Sequence, residues 1–390
     1  LPVSGGAGGE GMPRCLRDPD GFKGRCDMME YGHGGDIYRN RNVELDFSVN
    51  VNPLGMPNFV WEAAQRSIAF CTGYPDSSCE NLRGRLSELT GVPEDQMIFG
   101  NGAAELIFRL VQEVRPKKAV IPAPSFAEYE TALRSCGTEI AFFYLKEAES
   151  FFLNVSEFLD FLRTEQPEII FLCTPANPTG AMIRQADLSK ILDYCKKHGI
   201  LLVLDECFVE FLDEERSCGC IREFLDWETG RPEHGGSLFL LRAFTKTYAM
   251  AGLRLGYGFC TSRELLERME ENWQPWSVSI PAQEAGYAAL SEERIPFLKK
   301  MRETVAKERQ YLSDGLTKAG FTVFHSDANF LLFKDFKTGQ ESWLYEYFLE
   351  RGVLIRSCRN YRLLDRRFYR ICVRSHEENR EFLEILKDYR

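Results

Sequence analysis

Two unbroken apolar runs, 169–173 (IIFLC) and 200–205 (ILLVLD), flank the amphipathic stretch 186–199 (ADLSKILDYCKKHG), and this arrangement constrains the fold more than any other feature. A strand that is apolar at every position must be covered on both faces, as in a parallel sheet sandwiched between helices. The stretch between the runs has apolar residues at helical spacing and is long enough for the crossover that a parallel pair requires. In open parallel sheets ligands bind beyond the carboxyl ends of the strands. Two candidates fall there: Asn177, in the turn 173–180 (CTPANPTG), and Asp205, at the end of the second run. A carboxylate in Asp205's place can also simply cap the following turn.

A second segment, 242–258 (RAFTKTYAMAGLRLGYG), sets Lys246 eight residues before Arg254, among small residues and glycines. A lysine attacks a carbonyl only as the free amine, so it needs burial and nearby cations to lower its pKa. Arg254 is placed to be such a cation and to grip an anionic group. The segment therefore suits capture of an aldehyde that carries a phosphate.

Taken in order and spacing, Asn177, Asp205, Lys246 and Arg254 resemble the fold type I pyridoxal phosphate enzymes of the aspartate aminotransferase superfamily. The resemblance implies an α/β fold with a mainly parallel sheet of the seven-stranded type in a large domain, plus a smaller α/β domain. It implies pyridoxal 5'-phosphate as cofactor, Lys246 as the catalytic residue that holds it, Asp205 against its ring nitrogen and Arg254 on its phosphate. The loop 99–108 (FGNGAAELIF) is similar to the family's phosphate loop, which assigns Gly102, Ala103 and Ala104 to the phosphate at a helix amino terminus. By the same resemblance Phe126 stacks on the ring, Asn177 meets its ring oxygen, and Thr245 adds a hydroxyl to the phosphate. Tyr74 in 73–76 (GYPD) resembles the tyrosine that reaches the phosphate of a neighbouring subunit, so a homodimer is implied.

Composition limits what else the chain can be. With 390 residues and 44% hydrophobic content it can bury a large core and divide into domains. A net charge of −10 argues against nucleic acid or an anionic membrane as partner. The thirteen cysteines lack a CxxC pair and read as reduced thiols of a cytoplasmic protein. Cys218 and Cys220, with Cys195 and His198 near in sequence, lack structural-zinc spacing, and no metal is expected. No apolar run reaches membrane-spanning length and no leader is visible.

The expected organisation is a glycine-rich extension over 1–30, an arm and substrate loop over 31–57, a large cofactor domain over 58–280, and a connecting helix with a small domain over 281–390. Helices are expected at 81–90, 103–114 and 126–136, alternating with strands at 97–100, 118–121 and 139–144. One long helix is expected over 281–318. Strands at 321–324, 329–333, 353–356 and 369–373, with helices at 341–350 and 376–389, complete the small domain.

Within the superfamily, 32–36 (GHGGD), 45–55 (LDFSVNVNPLG) and 353–379 resemble segments of the L-threonine-O-3-phosphate decarboxylases, which serve cobalamin synthesis. This resemblance assigns Arg356, helped by His33 and Asn50, to a substrate phosphate, and Arg370, with Asn177, to a carboxylate. Arginine suits both ends of such a substrate because its planar fork binds oxyanions in pairs. Two residues depart from relatives' patterns. Asp36 stands where the decarboxylases have asparagine, and its charge opposes a phosphate unless it turns away or pairs with Arg39. Phe208 stands where histidinol phosphate aminotransferases have a tyrosine. The alternatives are such an aminotransferase, working with 2-oxoglutarate, and, more remotely, a metabolite sensor that keeps the fold without turnover. Arg359, Arg362, Arg366 and Arg367 read as a solvated basic face.

Overall fold

The computed structural model describes residues 33–217, 219–228, 236–336 and 342–389; the expected extension over 1–30 and Cys218 lie outside them. The arm contributes β1 (Leu45–Asp46). The central sheet contains β2 (Met97–Gly100), β3 (Lys118–Ala123), β4 (Glu139–Tyr144), β5 (Ile169–Cys173), β6 (Leu201–Asp205), β7 (Leu238–Ala243) and β8 (Gly256–Cys260). Their order is β2-β8-β7-β6-β5-β3-β4, and β8 alone runs against its neighbours.

Alternation explains why the inner strands are apolar throughout. Ile170, Leu172, Leu202 and Leu204 enter one core, while Ile169, Phe171, Leu201 and Val203 enter the core on the opposite face. The crossover between β5 and β6 is the helix Gln185–His198, as its periodicity requires. The strands β7 and β8 were not separately foreseen. In β8 the sequence pattern is interrupted by two glycines with a packing reason: a Cβ at Gly256 would lie 2.3 Å from the Ala103 amide nitrogen, and one at Gly258 would lie 2.5 Å from the Phe239 ring. The first of these lets the helix Ala103–Val114 begin directly against the sheet.

A second sheet of four antiparallel strands has the order β12-β13-β10-β9, with β9 (Thr322–Val323), β10 (Phe330–Lys334), β12 (Arg356–Ser357) and β13 (Phe368–Cys372). The single strand expected over 353–356 is two. β11 (Val353–Leu354) pairs in parallel with β1, whereas Arg356 and Ser357 pair with β13. The long helix expected over 281–318 is also two, Ile280–Ala289 and Arg294–Lys318. Pro296 has no amide hydrogen to donate into a continuing helix and sits instead in the first turn of the second, where that loss costs nothing. No helix among the described residues is long and apolar enough to cross a membrane.

Candidate active site

A cavity of about 390 Å³ opens at the carboxyl ends of β5, β6 and β7. Its walls include His33, Asn50, Ala103, Ala104, Phe126, Asn177, Asp205, Thr245, Lys246, Arg254, Arg356 and Arg370. Nearly every residue singled out in the sequence is thus brought together. Gly102 lies just behind this wall. Tyr74 does not join the group: it is 79% exposed and stacks on Trp276 with ring centroids 4.5 Å apart.

Lys246 lies in the short helix Phe244–Thr247 that follows β7. Burial, reinforced by Arg370 and then Arg254, lowers its pKa to about 8, against the opposing pull of Cys207 and Asp205. Arg254 was the expected cation, yet Arg370 contributes more. A buried amine with this pKa is about one-tenth free base at pH 7, far more than an ordinary lysine, and nucleophilic capture requires the free base.

Asp205 ends β6, and its neighbour Glu206 points to the opposite face, where Arg242 holds it at 2.6 Å. Burial raises the Asp205 pKa, while hydrogen bonds restrain the rise. They come from the Cys207 thiol, from the Tyr129 hydroxyl at 2.5 Å and from the Cys207 amide at 2.9 Å. Tyr129 was not foreseen. It is fully buried, stacks on Phe171 at 5.0 Å, and has its own pKa pushed well up by burial, so it remains a donor. Its place three residues after Phe126, on the inner side of the helix Ala127–Ser135, was the available signal. A carboxylate held this way suits a protonated ring nitrogen.

The anion cradle follows from backbone shape. Gly102 has φ +83°, and a Cβ there would lie 2.4 Å from the Arg254 guanidinium. Only glycine permits that approach. Gly102 also caps the helix Ala103–Val114 without any side-chain hydrogen bond, so the first amides remain available to an anion.

On the other side of the cavity, Arg356 and Arg370 are register partners across β12 and β13, each about 95% buried. Arg370 donates to the Asn177 side chain at 2.5 Å and the Ser48 carbonyl at 3.0 Å. Arg356 donates to Asn360 at 2.7 Å. Tyr361, also unforeseen, lies beneath Arg356 at 5.4 Å and reaches Asn177 at 3.4 Å. The Asn50 Oδ1 and Arg370 Nε atoms are buried without a hydrogen-bond partner. His33 bonds Glu128 at 3.1 Å. Asp36 stays off the cavity wall, 4.0 Å from Arg39, so its charge does not oppose an anion there. Phe208 lines the wall and packs edge-on against Phe330. On the basic face, Arg362 bonds Glu130 at 2.6 Å and lies over the Phe142 ring at 4.0 Å, and Arg367 is tied to Asp365.

Residues 42–386 match the family model for aminotransferase class I and II. The chain belongs to this family. A threonine-phosphate decarboxylase of Salmonella typhimurium is 35% identical over 93% of this chain and 97% of its own. Among solved structures, the L-threonine-O-3-phosphate decarboxylase of Porphyromonas gingivalis superposes with a TM-score of 0.75 at 25% identity, covering 88% of this chain and 99% of that one. The histidinol-phosphate aminotransferase of Clostridium acetobutylicum does so with a TM-score of 0.78 at 28% identity, covering 88% and 98%. The cofactor of this class I and II member is pyridoxal 5'-phosphate, and the cavity fits it: an amine with lowered pKa, a buried carboxylate and the Arg254 guanidinium line it, and the Gly102 turn packs against that guanidinium.

Proposed function

We propose that the protein decarboxylates L-threonine O-3-phosphate to (R)-1-amino-2-propanol phosphate, the aminopropanol unit of cobalamin synthesis. One observation carries the reading: two buried arginines stand directly opposite each other in a sheet and face the cavity of Lys246. Like charges so placed repel, and a ligand with an anion at each end relieves them. L-Threonine O-3-phosphate has a phosphate at one end and a carboxylate at the other. The similarity to the Salmonella typhimurium enzyme supports the same substrate.

Bound in the cavity, pyridoxal phosphate supplies an electron sink for the pair left when a bond at the α-carbon breaks. The chain supplies the rest. Gly102, Ala103, Ala104, Thr245 and Arg254 would hold the cofactor phosphate, Phe126 would stack on the ring, and Asn177 would meet the ring oxygen. Asp205, braced by Tyr129 and Cys207, keeps the ring nitrogen protonated. Arg370, together with Asn177, takes the substrate carboxylate, and Arg356, His33 and Asn50 take the phosphate. This orientation selects which α-carbon bond breaks. Carbon dioxide leaves, and Lys246 Nζ delivers the proton that replaces it at the α-carbon.

The test is incubation of the cofactor-loaded protein with L-threonine O-3-phosphate and no keto acid, following carbon dioxide. Sustained, catalytic release is the expected result. Absence of release, with amine transfer from histidinol phosphate to 2-oxoglutarate, makes the protein an aminotransferase instead. Turnover of neither substrate favours the sensor.

The active unit is a homodimer in this reading: Tyr74 is exposed, stacks on Trp276 and does not line its own cavity, and it would reach the cofactor phosphate of a second copy. Mixing Tyr74→Ala with Lys246→Ala protein, under conditions that exchange subunits, should restore activity that neither has alone. No recovery refutes the shared site.

A further inference from the structure

The first turn of the helix Ala127–Ser135 begins immediately after Phe126 and carries two carboxylates, Glu128 and Glu130. Each binds a nitrogen-bearing side chain from a segment remote in sequence. Glu130 takes Arg362, and Glu128 takes His33 Nε2 at 3.1 Å. Both His33 and Glu128 line the active cavity, with side chains 63% and 18% exposed.

A half-buried carboxylate on the wall of an anion-binding cavity is unfavourable by itself, since it repels the ligand the arginines attract. It becomes useful if it acts through a donor. The backbone next to His33 is already fixed: a Cβ at Gly34 would lie 2.2 Å from the Ser48 carbonyl oxygen, and the Gly35 amide donates to Ser48 Oγ at 2.7 Å. Ser48 Oγ in turn donates to Asp46 at 2.6 Å. What remains to be set is the imidazole, whose side chain is mostly exposed.

We propose that Glu128 is a positioning residue for the substrate phosphate. By accepting the Nε2 hydrogen of His33 it fixes the ring across the cavity mouth and leaves Nδ1 as the ring nitrogen turned to the phosphate. The proposal rests on the phosphorylated-substrate reading above.

The test compares Glu128→Ala, Glu128→Gln, His33→Ala and the Glu128→Ala/His33→Ala double variant as cofactor-loaded proteins. Glu128→Ala should raise KM for L-threonine O-3-phosphate about tenfold, equivalent to about 1.4 kcal/mol, with kcat within about twofold. Glu128→Gln keeps an oxygen that accepts the Nε2 hydrogen and should recover most of this loss. The double variant should be no worse than His33→Ala alone, because the carboxylate acts only through the ring. Losses that multiply in the double variant, a Glu128→Ala effect confined to kcat, or an unchanged KM each overturn the proposal. Wild-type protein that turns over no L-threonine O-3-phosphate refutes the function reading instead. Calorimetric titration of cofactor-loaded wild type and Glu128→Ala with inorganic phosphate then decides the positioning role: weaker binding to the variant sustains it, and equal binding overturns it.

Discussion

The two sides of the cavity are built differently. On the cofactor side, Asp205 and Lys246 follow the neighbouring strands β6 and β7, the Gly102 turn follows β2 of the same sheet, and Asp205 already has its partners in Tyr129 and Cys207. On the substrate side, His33, Asn50, Arg356 and Arg370 come from opposite ends of the chain, and Asn50 Oδ1 and Arg370 Nε still lack partners. The cofactor side is preorganised for one permanent occupant, whereas the substrate side is left partly unsatisfied for an occupant that comes and goes. Chemistry should therefore fail when the first is damaged, and affinity when the second is.

Lys246→Ala should do the greatest harm, lowering kcat by about 10³-fold or more, the range of a lost acid–base group, and removing the visible absorption of the cofactor-loaded protein. Asp205→Asn keeps the shape but not the charge, and should lower kcat by about 10²-fold with little change in KM. A change confined to KM would break the proposed division. Arg356→Ala should act the opposite way, raising KM for the phosphorylated substrate about 30-fold, from about 2 kcal/mol for hydrogen bonds to a charged group, while sparing unphosphorylated L-threonine. Equal effects on both substrates would remove Arg356 from the phosphate. The pH dependence of cofactor capture by cofactor-free protein sharpens the cofactor side. Burial and cations disfavour the Lys246 ammonium, so the capture rate should fall about tenfold per pH unit below its pKa of about 8 and be flat above it. A midpoint near that of an ordinary lysine would refute the burial argument. The smallest effect is expected from Tyr129→Phe, about fivefold on kcat, since Cys207 still holds Asp205.

The same division governs how much could be read from the sequence. The strands at 97–100 and 169–173 appear where their apolar runs place them, because a run buried on both faces carries its own boundaries, and the partly exposed edge strand at 139–144 also lies where expected. Asn177 and Asp205 follow from the apolar runs 169–173 and 200–205, since each lies at or just beyond the end of one, whereas Lys246 is marked by its spacing to Arg254. Tyr129, Ser48, Tyr361 and Glu128 carry no such local sign. Each is an ordinary residue type whose role depends on a partner far along the chain, as with the 76 residues between Tyr129 and Asp205. The strand break at Ile355 is hidden for a related reason: Val353 to Ser357 read as one extended segment, and its division depends on β1 and β13, which compete for it from opposite ends of the chain.

The stitching of the arm into the second sheet has a consequence for how the chain is made. β1 pairs with β11, the Cys372 amide donates to the Phe47 carbonyl, and Arg370 reaches the Ser48 carbonyl across 322 residues. At ribosomal speeds of about 5–20 residues per second, Asn50 and its neighbours wait on the order of tens of seconds for these partners to be synthesised. The cofactor side, whose last strand ends at Cys260, is fully translated well before then. A nascent chain thus contains Asp205, Lys246 and the Gly102 turn before it contains the two arginines that face a substrate.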